Sequence, residues 1–199
     1  MRQTLQSAAN KQIVTRKQLL VAGGLLIATP PIGLSAQGVR RVAIVCEAAD
    51  ADSQVDLLHF QTRLGAELLR SGRFSLVDRD RVDRLIREQG FSNSDYADPH
   101  LAAKLGRLAG AQELLNTQLA IKLALDQGRF VANLQCEVNA NYSLVDVSTG
   151  RIVSEDSSYG ESQNKVSAAT SSVSPIAADA LRRQAIDSCV EDMVQKLTN

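Results

Sequence analysis

The chain has 199 residues, 22 Lys+Arg against 22 Asp+Glu, with 44% hydrophobic and 22% charged residues. That length and balance fit one ordinary domain with a short leader, and exclude a disordered or collagen-like chain. Aromatic residues make up only 4%, Trp is absent and the net charge is zero, so a base-stacking platform and the electrostatic pull of nucleic-acid binding are both lacking, and no nucleic-acid partner is expected.

Residues 1–36 contain Arg2, Lys11, Arg16 and Lys17 and no acidic residue. The basic stretch leads into the apolar run Leu19–Ala28, then Pro30-Pro31 and the small residues Gly33, Ser35 and Ala36. This is the plan of a secretory signal peptide, and the apolar run is about half the roughly twenty residues that a spanning helix needs. Residues 1–36 are therefore predicted to be a leader cleaved after Ser35 or Ala36, and 37–199 the working domain. No cysteine lies near the cleavage region, so the mature chain is expected to be soluble rather than lipid-tethered and to contain no transmembrane segment. Four of the 22 basic residues and none of the 22 acidic ones fall in the leader, so the mature chain is mildly acidic, 18 against 22.

In chain order, Arg41–Cys46 is a β-branched run apolar on both faces, as in a central strand covered on both sides. The acidic loop Glu47–Ser53 leads to a predicted amphipathic helix with Val55, Leu57, Leu58, Leu64, Leu68 and Leu69, ending at Ser71-Gly72. Phe74–Val77 alternates as a short strand. Asp78 or Asp80 can cap a second helix with Val82, Leu85 and Ile86 inward, stopping at Gly90. A polar loop, 91–100, precedes a short helix with Leu101, Leu105 and Leu108, closed by Gly110. Leu114–Asp126 and Phe130–Val147 read as long strands joined by a turn at Gln127–Arg129, with a slip between Val131 and Leu134 that suggests a bulge. Ser148–Gly150 is a hairpin turn into the strand Arg151–Glu155. The Ser-rich stretch Ser157–Ser174 reads as a surface loop, and Pro175 opens a last helix with Ile176, Ala180, Leu181, Ile186, Val190, Met193, Val194 and Leu197 toward the sheet. The predicted fold is an α/β (α+β) sandwich, with a mixed sheet of about five strands, an antiparallel C-terminal meander, and helices packed on it.

No phosphate-cradling glycine loop, nucleophile elbow or HExxH motif is present, so no catalytic residue and no cofactor are assigned. Cys46, Cys136 and Cys189 are far apart and include no CxxC pair, and only His59 and His100 could assist them, so no metal site is expected. Small buried hydrophobes are the favoured reading of the three thiols, although an oxidising compartment would allow one disulfide. Glu47, Asp50 and Asp52 follow the first strand, where open α/β sheets often place sites. With His59 they form the only grouping that could serve an enzyme. Arg81, Arg84 and Arg87 recur at helical spacing and could contact a partner, or form a solvated face with local ion pairs.

Two segments stand out together. One is Leu64-Gly65, Leu68, Ser71-Gly72-Arg73-Phe74 and Val77-Asp78-Arg79, followed by Leu85–Gln89; the other is Leu144–Ile152, with Ala109–Gln112 between them. In this order and spacing they resemble the periplasmic domain of the CsgG family, the curli production assembly and transport component and its relatives, over most of residues 40–198. The resemblance implies an α/β fold and a role in envelope assembly or export. It brings no aromatic constriction, because the loop after Cys46 lacks the aromatic residues, and no membrane hairpins, because neither 119–138 nor 154–174 has the length of added alternation. The expected function is a non-enzymatic, secreted cell-envelope accessory protein acting by protein–protein association. Its expected partners are other envelope proteins or a second copy of itself, and its expected location is periplasmic or secreted, peripheral to the outer membrane. The alternatives are a subunit of a curli-type secretion channel, or a periplasmic enzyme built around Glu47, Asp50, Asp52 and His59.

Overall fold

Five strands form one sheet in the order β2-β1-β3-β4-β5. The computed structural model describes residues 38–92, 98–127, 131–167 and 174–199, without the side chains of residues 127, 131, 166 and 167. Residues 1–37, with the leader expected there, positions 93–97 of the 91–100 loop, positions 128–130 and positions 168–173 of the Ser-rich stretch lie outside the described residues. The elements are β1 (Arg40–Ala48), α1 (Ala51–Gln54), α2 (Leu57–Arg70), β2 (Phe74–Leu76), α3 (Arg79–Gln89), α4 (Pro99–Ala109), β3 (Glu113–Gln127), β4 (Val131–Asp146), β5 (Arg151–Ser167) and α5 (Pro175–Thr198). β1 pairs in parallel with β2 and β3, while β3, β4 and β5 form the antiparallel meander. The mixed α+β sandwich predicted from the sequence is the fold.

Alternation along β1 divides the core in two. Val42 and Cys46 face α2 and α5, packing with Phe60, Leu64, Leu68, Ile186 and Met193. Ala43 and Val45 face the other way, toward Val82 of α3 and Leu105 of α4. The second layer is short and covers only the end of the sheet marked by Leu114, Val145 and Val147. The rest of that face, along the meander, is open and polar, as one side of an antiparallel sheet can be.

Local chemistry sets the helix ends. Asp78 accepts the Asp80 amide at 2.9 Å to start α3, and Asp98 accepts the His100 amide at 2.8 Å with Pro99 in the first turn of α4. The first predicted helix is in fact two. Asp50 caps the single turn of α1 through the Ser53 amide at 2.7 Å, and the chain re-enters helix after Asp56. The break turns Val55, Leu58 and Leu69 outward, at 76%, 61% and 52% exposure, and places Phe60, absent from the predicted apolar face, fully inside. On α5, Ile176 and Ala180 also point to solvent, while Ala178 and Leu181 take the inward side.

The Ser-rich stretch is not a loop from Ser157 onward: β5 continues to Ser167. Its small residues seat α5. Ser158 and Ser162 are buried, Ser162 donates to the Leu181 carbonyl at 2.6 Å, and a Cβ on Gly160 would lie 2.0 Å from the Ala185 carbonyl oxygen. The bulge also lies elsewhere. β3 and β4 pair without a break, Ala132 and Leu134 both facing the core, and the irregularity falls between Leu144 and Val145, opposite β5.

The β4–β5 turn is tied by Asp146, which accepts from the Ser148 hydroxyl at 2.6 Å and from the Thr149 amide and hydroxyl, each at 2.8 Å. These bonds hold its carboxyl at about 2, below the ordinary 3.8. A lowered folded-state value means that folding favours the ionised form, so this contribution is complete above 3.8 and is lost as pH falls toward 2. Asp146→Asn is therefore expected to flatten the acid limb of stability across that window. Urea midpoints at stepped pH check this, and an unchanged slope would remove Asp146 from the acid response.

Candidate partner surface

Of the residues that could have made an enzyme, only Asp50 and Asp52 come together, lining one cleft with Lys122, Glu137 and Arg182, while Glu47 and His59 lie outside it. Asp50 is occupied as the α1 cap, Asp52 is exposed in the same turn, and Glu47 is half-buried, its carboxyl raised by desolvation. His59 faces the other end of its own helix layer, 3.9 Å from Asp187 of α5. His100 packs beside the Gly150 turn. Among the described residues no cluster of His, Cys, Asp and Glu could hold a metal ion. The three cysteines are buried, free thiols, and burial raises them to about 12 at Cys46, about 11 at Cys136 and about 12 at Cys189. They are inert core residues.

What the fold presents is surface chemistry. Arg81, Arg84 and Arg87 all lie on the exposed side of α3, because Val82, Leu85 and Ile86 take the inward side. Arg81 reaches across to α4 and donates to the Leu108 carbonyl at 3.3 Å. Arg79 pairs with Asp83 at 3.4 Å, whereas Arg84 and Arg87 form no ion pair among the described residues. Lys104 and Arg107 of α4 are exposed on the same helix pair. Asp80 and Glu88 are exposed among the three arginines on that face, so the helix pair presents a surface of mixed charge with a net positive excess.

The sheet edges are treated unequally. β2, at one end, is only three residues long. β5, at the other, is closed from α5: the Tyr159 amide donates to Asp192 at 3.4 Å, and Lys196 donates to the Ser157 carbonyl at 2.7 Å while pairing with Asp192 at 2.9 Å. Short edges and charged caps of this kind protect a sheet against unwanted pairing. β3 is different, since β1 stops beside Leu119 and leaves the outer half of β3 with an edge of its own.

Among the described residues, the free charge and open backbone of this small α/β domain lie on helix faces and strand edges, without a converged reactive cluster. The family model for the peptidoglycan-synthase activator LpoB matches residues 37–158, more than half of the chain, and the chain belongs to that family. No curated protein matches it. Among solved structures, it is similar to the LpoB C-terminal domain from Salmonella enterica, at 17% identity and TM-score 0.40, over 63% of this chain and 84% of that one. A minor lipoprotein from Acinetobacter baumannii is similar at 11% identity and TM-score 0.47, over 80% and 91%.

The family match corrects the resemblance to the CsgG family, and with it the expectations of curli assembly and secretion. The reason lies in what the quoted segments encode. Gly72, Gly90, Gly110 and Gly150, which punctuate them or lie beside them, all have φ between 66° and 75° and serve as helix ends and a hairpin turn. Such positions recur wherever this architecture does, so they report the fold and leave the function open. No described helix is long and apolar enough to cross a membrane.

Proposed function

We propose that this protein is a non-enzymatic activator of a peptidoglycan synthase, exported by residues 1–36 and working in the periplasm through its 37–199 domain. The family match carries this reading. The α3 face that carries Arg81, Arg84 and Arg87 is its contact with the synthase. Three guanidiniums at i, i+3 and i+6 share one face with Asp80 and Glu88, and none of the three forms an ion pair among the described residues. An acidic surface on the synthase would complement these arginines, steering the encounter and fixing its orientation.

The double variant Arg84→Glu, Arg87→Glu tests the contact. Both side chains are exposed, so the thermal midpoint should hold, with a stability change within about 0.5 kcal/mol. Stimulation of glycan polymerisation by the purified synthase should fall at least tenfold, and in the wild type it should weaken as salt is raised. Full stimulation by the folded variant would remove this face from the contact. Absence of any stimulation by the wild type would remove the activator reading itself.

A further inference from the structure

The geometry points to a second copy of this chain as the occupant of the open β3 edge, the two β3 strands pairing antiparallel about Ala124 to join two five-stranded sheets into one. This goes beyond the proposed activation of a synthase and does not depend on it.

The available edge is defined by hydrogen bonds. The Leu119 carbonyl accepts from the Ala49 amide at 2.7 Å, and the Ile121 amide donates to the Ser53 hydroxyl at 2.8 Å. Both groups point away from β4. Strand alternation sends the N–H and C=O of Leu123 and Leu125 out on the same side, and no described residue pairs with them there. Their side chains, 40% and 38% exposed, form an apolar shelf near Val55, beside a cleft of about 640 Å3 that Asp50, Val55 and Leu123 help to line. An unpaired strand edge with an apolar shelf is a template for another strand.

The sequence of this stretch, Lys122-Leu123-Ala124-Leu125-Asp126, is chemically its own antiparallel complement. With Ala124 on the two-fold axis, Leu123 of one copy lies opposite Leu125 of the other, and both present outward-facing backbone groups, as a hydrogen-bonded pair requires. On the opposite face Lys122 meets Asp126 in each direction. Neither charge forms an ion pair within the chain among the described residues, and both are exposed. Only the small Ala124 side chains meet at the axis. An isologous two-fold contact needs this self-complementarity. β5, by contrast, has only polar side chains at Glu161, Gln163 and Lys165 beyond its capped section, with no apolar row to bury.

Sedimentation velocity of the protein over a wide concentration range should reveal a reversible dimer. Lys122→Asp alone and Asp126→Lys alone should each be monomeric, since each sets like charges opposite one another, while their equimolar mixture should dimerise. Ala124→Cys should give a covalent dimer on oxidation: non-hydrogen-bonded antiparallel pairs place Cα atoms about 4.5 Å apart, within disulfide reach, and the three native thiols are buried. Circular dichroism confirms that each variant is folded. A monomer at every concentration, with no cross-link in the oxidised Ala124→Cys variant, would overturn the inference, as would a dimer that survives both single charge reversals.

Discussion

Replacing Gly160 with alanine is expected to lower stability by about 3 kcal/mol or more, and valine is expected to prevent folding to a single state. A Cβ at this position would lie 2.0 Å from the Ala185 carbonyl oxygen and 2.5 Å from the Cys189 amide nitrogen. Both neighbours are backbone of α5, so no side-chain rotation relieves the overlap. The helix would have to lift from β5, pulling Leu181, Ala185, Ile186, Cys189 and Val190 away from β4 and loosening the caps that Asp192 and Lys196 place on the β5 edge. For a domain of this size each kcal/mol corresponds to about 2–4 °C of thermal midpoint, so the alanine variant should melt roughly 10 °C lower. Gly38, with nothing within 4 Å of its Cβ position, is the control: Gly38→Ala should leave the midpoint in place. An unshifted Gly160→Ala melt would mean that α5 does not sit on this strand.

Phe60→Ala is expected to have an effect of similar size by the opposite route. The ring is fully buried and packs in the larger core, between α2, α5 and the sheet. Truncation loses its transfer free energy and leaves a cavity lined by neighbours such as Leu64 and Leu68, together about 3–5 kcal/mol. Chemical denaturation should show a lower midpoint at nearly constant slope. Phe60→Leu, which refills most of the volume, should recover much of the loss. A Phe60→Ala variant as stable as wild type would contradict the way α2 packs here. Neither core variant touches the α3 face, so any protein that remains folded should behave like wild type in the proposed synthase assay.

The proposed contact surface was partly legible in the sequence. Arg81, Arg84 and Arg87 could be placed on one helix face by spacing alone, because Val82, Leu85 and Ile86 define the other face and Asp78 and Gly90 mark the ends. The β3 edge was not legible. Whether Lys122–Asp126 is flanked by a strand depends on where β1 stops, more than seventy residues earlier in the chain, and hydropathy along β3 does not encode that. The resemblance to the CsgG family failed for a related reason: helix caps and turn glycines are requirements of the backbone path, and proteins with different partners share them.

By itself the sequence determined the order of the elements, most of their ends and the two-sided burial of β1, since these follow from local periodicity, capping side chains and turn residues. Its composition also gathers four basic and no acidic residues in positions 1–36 and leaves the rest of the chain mildly acidic. Tertiary structure decided that the Ser-rich segment extends β5, because serine and glycine favour a strand there only when α5 needs a close approach. It decided that Val55 and Leu58 face solvent while Phe60 is buried, because Asp56 sits at the break between two helices. It also decided which edge of the sheet stays open, since strand pairing joins residues far apart in the chain and local patterns carry no record of it.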